Sequence, residues 1–380
     1  MVELNKLHRD QCALTGSPNL EPVFRIPKMP AYIGCVNTTE SDDYFADLSF
    51  SICRDCGLIQ LDDIPDPKVL YMLPHNDAIG ATWHEHHDQF ANFVLTHGGE
   101  RFLEVGGGAG ALASLVTSQK PDCTWTLVDP NPVVQSTATI RVVRSFFSEA
   151  AFSDQDQFDT VVHSHVLEHV FDPMDFFASI AKLLHGPRLQ IFSVPNLRRM
   201  LELGYTNCIN FEHTLCLGEE FIDAALAARG FTVVAKQRFR DDHSIFYATR
   251  YDGSVSSGTF PPLYSNYKPL LLEYERRLSD FVLRTNSAMH AFDGPVFIFG
   301  AHIFAQYLLG MGLETESIVG VLDNSPLKIG KRLYGTKLNV FAPDVLKLYP
   351  RVAVVLNVAQ YRREIVAQLL QLNPATILLE

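Results

Sequence analysis

The chain has 380 residues, more than a single hydrophobic core usually serves, so two or three domains are expected. With 47% hydrophobic and 19% charged residues it has the composition of a well-packed globular protein. A net charge of −12 argues against nucleic-acid phosphates or an anionic membrane surface as the main partner, and leaves room only for a local basic pocket holding a phosphorylated small molecule.

Residues 1–10 are polar and mixed in charge, unlike a signal or transit segment, and no apolar run reaches the roughly 18 residues that suggest a membrane span. Seven cysteines, an odd number spread over a long chain, point to thiols and a metal site in a reducing cytoplasm, not to disulfides. Four of them, Cys12, Cys35, Cys53 and Cys56, fall in residues 1–67, a stretch with little periodicity. Cys53-Arg54-Asp55-Cys56-Gly57 has the spacing of a zinc knuckle, in which two thiolates turn back onto one tetrahedral ion. Cys12-Ala13-Leu14-Thr15-Gly16 has the same outline, with Thr15 where the second cysteine belongs. Cys35 is the expected fourth ligand and His8 the next choice. The site is read as structural zinc, the other reading being free thiols at a site that has lost its metal.

A second unit is expected over residues 68–252. Trp83, His86, Phe90, Phe93 and Val94 recur at helical spacing. Strands are expected at 101–105, 125–128, 140–143, 160–163 and 189–193, with helices at 111–119, 174–184 and 219–229 and a closing antiparallel pair at 232–234 and 244–249. That alternation indicates a doubly wound α/β sheet. The first strand ends in Gly106-Gly107-Gly108-Ala109-Gly110, which lets backbone pass close to a ligand while the next helix directs its first amides at it. The second strand ends at Asp129, placed to accept hydrogen bonds from the ribose hydroxyls of an adenosine cofactor. An NAD site uses the same devices, but its fingerprint is Gly-x-Gly-x-x-Gly. Here the spacing is Glu104-x-Gly106-x-Gly108-x-Gly110, with the acid ahead of the loop.

Together with Phe158-Asp159-Thr160-Val161-Val162 leading to Ser164-His165-Val166-Leu167-Glu168-His169-Val170, these motifs resemble the class I S-adenosylmethionine-dependent methyltransferases. The resemblance implies that Glu104, Gly106, Gly108, Gly110 and Asp129 hold the cofactor and that the segment from His165 lies beside its methionine moiety. Phe147, after the third strand, is then either a purine-stacking residue or a core phenylalanine.

Residues 252–262 are rich in Gly, Ser and Pro and read as a linker. A helix at 268–291 precedes a third unit, 263–380, with strands at 296–299, 317–322, 353–356 and 376–379, a small Rossmann-like domain. Phe299-Gly300-Ala301, Val321-Leu322-Asp323-Asn324-Ser325-Pro326-Leu327-Lys328-Ile329-Gly330-Lys331 and Gly335, together with the order of the three units, resemble the bacterial sugar C-methyltransferases that act on nucleotide-linked keto-deoxysugars. This resemblance covers nearly the whole chain. It implies a sugar nucleotide between core and C-terminal domain, a Glu-His pair at Glu212-His213, and a further histidine at His169. Adjacent carboxylate and imidazole suit proton removal near neutrality. The family carries a tyrosine where this chain has Asn210, and tyrosines and serines where it reads Leu73-Pro74-His75-Asn76-Asp77. Asn210 and His75 are the expected substrate contacts in their place, and O-methylation of a sugar or another phosphorylated metabolite is the alternative to C-methylation.

Overall fold

The computed structural model describes residues 7–70, 80–153, 155–255 and 259–380. Among them, no helix is long and apolar enough to cross a membrane. Three strands at the N-terminal end, β1 (Leu20–Pro30), β2 (Phe45–Cys53) and β3 (Ile59–Leu61), form an antiparallel sheet in the order β1-β2-β3.

Helix α1 (Ala81–His97) then leads into the main sheet. Its members are β4 (Arg101–Val105), β5 (Thr124–Asp129), β6 (Ile140–Arg144), β7 (Phe158–Ser164), β8 (Leu184–Pro195), β9 (Phe231–Phe239) and β10 (Ser244–Tyr251). They lie in the order β9-β10-β8-β7-β4-β5-β6; β10 runs antiparallel to both neighbours, and the other pairings are parallel. The order reverses between β4 and β7, and a crevice at the carboxyl ends of strands on either side of such a reversal is where ligands bind in open α/β sheets. The central strands are buried on both faces, as the run Phe102, Leu103, Glu104, Val105 requires.

The helices α2 (Ala111–Gln119), α3 (Pro173–Leu183), α4 (Leu197–Leu203) and α5 (Glu219–Ala228) connect these strands. Local chemistry sets their ends. Asp172 caps α3 by accepting from the Asp175 N–H at 2.8 Å with Pro173 in the first turn, and Phe176, Phe177, Ile180 and Leu183 form its buried stripe. Asn196 caps α4, and Gly204 ends it in the left-handed conformation.

The long helix α6 (Tyr264–His290) starts earlier than its sequence suggests and holds Pro269 inside it, at the cost of one intrahelical hydrogen bond. A separate parallel sheet follows, built from β11 (Val296–Phe299), β12 (Ile318–Leu322), β13 (Val340–Phe341), β14 (Val352–Val355) and β15 (Thr376–Leu379) in the order β13-β12-β11-β14-β15. Helices α7 (Ile303–Gly310) and α8 (Arg362–Leu372) cover it.

Burial shows which parts share a core. One cluster runs from Leu48, Phe50 and Ile52 of the N-terminal sheet through Phe177 and Phe192 to Tyr267 and Tyr274 of α6. The C-terminal sheet has its own clusters on its two faces. Hydrogen bonds reinforce the first union: Leu61 donates its backbone N–H to the Thr214 carbonyl at 2.8 Å, and Cys216 donates to Ile59 at 2.9 Å. The buried Arg9 guanidinium adds bonds to the carbonyls of Leu61 (3.1 Å), Thr214 (3.3 Å) and Phe171 (2.6 Å). The N-terminal unit is therefore a buttress for the loop that carries residues 210–216.

Candidate functional site

The loop after β4 has the geometry that its glycines allow. Gly106, Gly108 and Gly110 have φ values of +75°, +36° and +70°. A Cβ on Gly106 would stand 2.7 Å from Val166 Cγ2, and one on Gly107 would strike the Glu104 carboxyl at 2.6 Å. The loop thus lies against both the end of β7 and the acid of its own strand. Asp129 Oδ2 accepts the Gly108 N–H at 3.0 Å and its Oδ1 the Asn131 N–H at 2.7 Å, so the carboxylate ending β5 is fixed against the loop and stays partly exposed. Glu104 is buried and accepts from Trp125 Nε1 at 2.8 Å. Burial lifts its pKa to about 7 against the opposing pull of that hydrogen bond. Phe147 packs edge-on to Phe176 with centroids 5.4 Å apart, while its neighbour Phe146 is exposed and is the freer of the two to stack on a base. These are the features an adenosyl cofactor needs: close-approaching backbone, amides at a helix start and an anchored acid for the ribose.

Beyond β7 the chain turns sharply at His165, which has φ +53°. His165 Nε2 lies 2.9 Å from Ser244 Oγ and its Nδ1 3.4 Å from Glu168 Oε1. Glu168 is fully buried and His169 Nε2 is 3.8 Å from the same oxygen. Burial alone would raise the Glu168 pKa, but the surrounding imidazoles of His165, His169 and His213 outweigh it and hold it at about 2.

The Thr214 N–H donates to the Glu168 carbonyl at 3.0 Å, and the Thr214 hydroxyl to Val170 O at 3.1 Å, bringing His213 alongside. The imidazoles of His169 and His213 meet edge to face, with centroids 5.1 Å apart. His213 Nδ1 is 3.1 Å from the Cys208 carbonyl, which can only accept, so Nδ1 carries the proton and Nε2 keeps its lone pair. Burial and the nearby His169 lower the His213 pKa to about 4, leaving the ring neutral at pH 7.

The sequence-derived residues divide accordingly. Glu104, Gly106, Gly108, Gly110 and Asp129 converge on one loop, and His165, His169 and His213 gather across the sheet end from it. Glu168, His169 and His213 place one ligand-type atom each within 4.8 Å of one another. Glu212 is not in that group; its charge acts on His213 as the weakest of the influences there, and the carboxylate in the middle is Glu168. Asn210 is buried, and its Oδ1 accepts from the Glu212 and His213 amides at 2.8 and 3.0 Å, which makes it the former of the turn. His75 lies outside the described residues. Sequence reasoning passed over Glu168, Arg9, His86 and His243. The run Trp83-His84-Glu85-His86-His87 was the available signal for the second histidine group.

The cysteines correct one expectation. Cys12, Cys53 and Cys56 put their sulfurs within 4.8 Å of one another, with Cys12 and Cys56 at 3.6 Å. The hydrogen bond from Cys56 lowers the Cys12 pKa to about 5 and raises that of Cys56. Thr15 Oγ1 faces Cys53 Sγ at 4.0 Å, in the place of a fourth thiol. Cys35 is elsewhere: its short strand pairs with Arg332–Leu333, its thiol donates to Ala301 O at 3.4 Å, and burial raises its pKa to about 12. The chain pairing that carries Cys35 to the C-terminal sheet is set by backbone register, which cysteine spacing does not report. His8 is also apart, exposed and paired with Asp63 at 2.7 Å.

The C-terminal sheet repeats the loop device. Asp323, just beyond β12, accepts the Ala301 N–H at 2.8 Å after Gly300 and the Ser325 N–H at 2.8 Å. A cavity of about 400 Å³ lies between the end of α4, α6 and the edge of the C-terminal sheet; its Arg276, Arg277 and Arg362 are paired with Asp280, Glu273 and Glu380.

The family model described as a methyltransferase domain matches residues 76–236. No curated protein matches the chain. Among solved structures, an S-adenosylmethionine-dependent methyltransferase from Mesorhizobium loti is 14% identical, with 46% of this chain and 100% of that one covered at a TM-score of 0.35. The magnesium protoporphyrin IX methyltransferase of Synechocystis, solved with bound SAH, is 15% identical over 47% of this chain and 90% of that one, at a TM-score of 0.36. The plantazolicin methyltransferase BpumL in complex with SAH is 10% identical over 44% and 83%, at a TM-score of 0.33. Residues 76–236 are a methyltransferase domain, which gives the chain the activity of an S-adenosylmethionine-dependent methyltransferase.

Proposed function

We propose that the enzyme transfers the methyl group to a carbon atom of a nucleotide-linked keto-sugar, with His213 as the base. The observation that carries this reading is the His213 tautomer: Nδ1 is engaged by the Cys208 carbonyl, so the unprotonated Nε2 is available at neutral pH. His213 takes the acidic proton beside the sugar's keto group, and the resulting enolate carbon forms its bond to the methyl as the carbon–sulfur bond breaks. The donor, when bound, supplies an electrophilic methyl and departs as the neutral thioether. Glu168, held as an anion among His165, His169 and His213, stabilises the imidazolium that forms; the family's Glu-His pair adds Glu212 to this role. Asp129 and the Gly106–Gly110 backbone hold the adenosyl half, and alignment of acceptor and methyl supplies much of the rate.

The division into an N-terminal cysteine module (1–67), a methyltransferase core (68–252) and a C-terminal substrate domain (263–380) belongs to the same proposal. The three-thiol group supplies three of the four donors of a structural zinc. O-methylation is the second reading. The Asn210 oxygen is used up by its own turn, which leaves a single base, and a hydroxyl acceptor needs no more.

Incubation with methyl-labelled S-adenosylmethionine and a 4-keto-sugar nucleotide tests the proposal. Label on carbon is expected, and label on oxygen would establish the second reading instead.

A further inference from the structure

A second group of imidazoles lies on the other side of His165. His86 from α1, His165 after β7 and His243 from the turn between β9 and β10 each place a ring nitrogen within 4.8 Å of one from each of the others. Three separate elements converge on this point, far apart in the chain. Trp83 lies edge-on against all three rings, with centroids 5.2 Å from His86, 5.1 Å from His165 and 4.9 Å from His243. His86 and His243 are buried, and only the His165 side chain is partly open, at 21% exposure.

Two observations separate this group from an ordinary patch of core. Every ring has one nitrogen held by a serine hydroxyl: His86 Nε2 by Ser193 Oγ at 2.9 Å, His243 Nδ1 by Ser244 Oγ at 2.6 Å, and His165 Nε2 by the same Ser244 Oγ at 2.9 Å, while His165 Nδ1 lies 3.4 Å from Glu168 Oε1. That is the outer-shell arrangement by which metal-ligating imidazoles are fixed in tautomer and orientation. In addition, His86 Nδ1 and His243 Nε2 are buried with no hydrogen-bond partner among the described residues. A buried polar atom left without a partner is costly, and three imidazoles fill a space that phenylalanine or leucine would fill without that cost.

We infer that His86, His165 and His243 form a binding site for a divalent transition-metal ion of the zinc class. Imidazole nitrogen suits zinc, cobalt, nickel and iron and is a poor ligand for magnesium or calcium. Three protein ligands leave a fourth position, as in catalytic zinc sites, and the open side of the group is at His165. Val166, the next residue, is the one that abuts Gly106 of the cofactor loop, so an ion here would be a neighbour of the methyl donor. The neighbouring Glu168, His169 and His213 form a two-histidine, one-carboxylate group, and the test must separate the two. The inference stands on the three histidines and not on the sugar reading.

The test is a titration of the full chain, freed of metal by chelator, with Co²⁺ followed by visible absorption. A Cys12→Ser/Cys53→Ser/Cys56→Ser variant removes the thiolate site, and a thermal shift with S-adenosylhomocysteine verifies that it is folded. One equivalent of Co²⁺ with ligand-field bands and no sulfur charge-transfer band is expected. His243→Gln should abolish it, His213→Gln should leave it, and Ser244→Ala, which removes an outer hydrogen bond, should weaken it by about 10–100-fold. If the triple variant does not fold, the same titration of the native sequence decides between the outcomes through an equivalent free of sulfur charge transfer. Folded protein that responds to S-adenosylhomocysteine but takes up no such equivalent overturns the metal site and leaves the methyltransferase reading intact. Uptake lost in His213→Gln and kept in His243→Gln also overturns it.

Discussion

Gly108 donates its backbone N–H to Asp129 Oδ2 at 3.0 Å, so the loop after the first core strand and the acid ending the second are one unit. A carboxylate fixed by two backbone amides keeps lone pairs for the hydroxyls of a ribose. Asp129→Ala removes both the anchor and the acceptor. S-adenosylhomocysteine affinity is expected to fall by about 10–100-fold, corresponding to about 1.5–3 kcal/mol for hydrogen bonds to a charged group. Calorimetric titration reads this directly, and unchanged affinity would show that the ribose is held elsewhere.

Gly106 makes a separate demand on the same loop. Its φ of +75° and the 2.7 Å that would separate a Cβ from Val166 Cγ2 both oppose a side chain. Gly106→Ala is expected to cost about 1–2 kcal/mol from the left-handed backbone alone, and to weaken cofactor binding as the loop shifts. Denaturant unfolding and a binding titration should move together; wild-type values in both would contradict the geometry.

The His213 environment fixes a pH dependence. Its pKa is lowered to about 4, so the acid limb of kcat/KM is expected to have its midpoint near pH 4 instead of near the ordinary histidine value of 6.5. His213→Ala should lower turnover by about 10²–10⁴ with little change in S-adenosylhomocysteine affinity. A midpoint at or above 6.5, or a larger effect on affinity than on turnover, would remove His213 from the base position.

Stability should carry the same signature. His163 is lowered to about 3 by burial, as His213 is to about 4, so below the unfolded value of about 6.5 the unfolded chain binds protons that the folded chain refuses. Their contribution is complete above pH 6.5 and is lost progressively as pH falls through the window from 6.5 to 3. Glu104, raised to about 7, and Asp62, raised by burial, act with the opposite sign, but burial lowers His86 and His243 as well, so the histidines prevail. Chemical unfolding from pH 6.5 to 5 is expected to show falling stability, and rising stability would contradict these burials.

Thr15, at the position where the knuckle spacing calls for a second cysteine, has its Oγ1 4.0 Å from Cys53 Sγ. Thr15→Cys is expected to complete a four-thiolate site and tighten zinc binding, measured by competition with a chromophoric chelator. Unchanged affinity would mean that the three sulfurs do not converge on an ion.

Much of the core was legible because its signals are local. The glycine loop, the buried run Phe102–Val105 and the capped stripe of α3 each carry their own pattern, and the strands fall close to where periodicity puts them. The N-terminal sheet was not legible: Pro22, Pro27 and Pro30 interrupt β1, a 14-residue connection replaces a tight turn, and its burial comes from packing on α6. The same limit explains Cys35 and Glu212. Cysteine spacing and residue adjacency are properties of the chain, whereas the Arg332–Leu333 pairing carries Cys35 away from the other thiols and the Thr214–Glu168 bond brings His213 to Glu168. His243 and His86 had no shared motif, since only the antiparallel β9–β10 turn brings one over the other.

The central claim is that the crevice between β4 and β7 receives the adenosyl half of a methyl donor. Titration calorimetry of the intact, folded chain with S-adenosylhomocysteine tests it most directly. A saturable heat at one ligand per chain, reduced in Asp129→Ala, is the expected result. No heat from this ligand, with binding of NADH in its place, would contradict it.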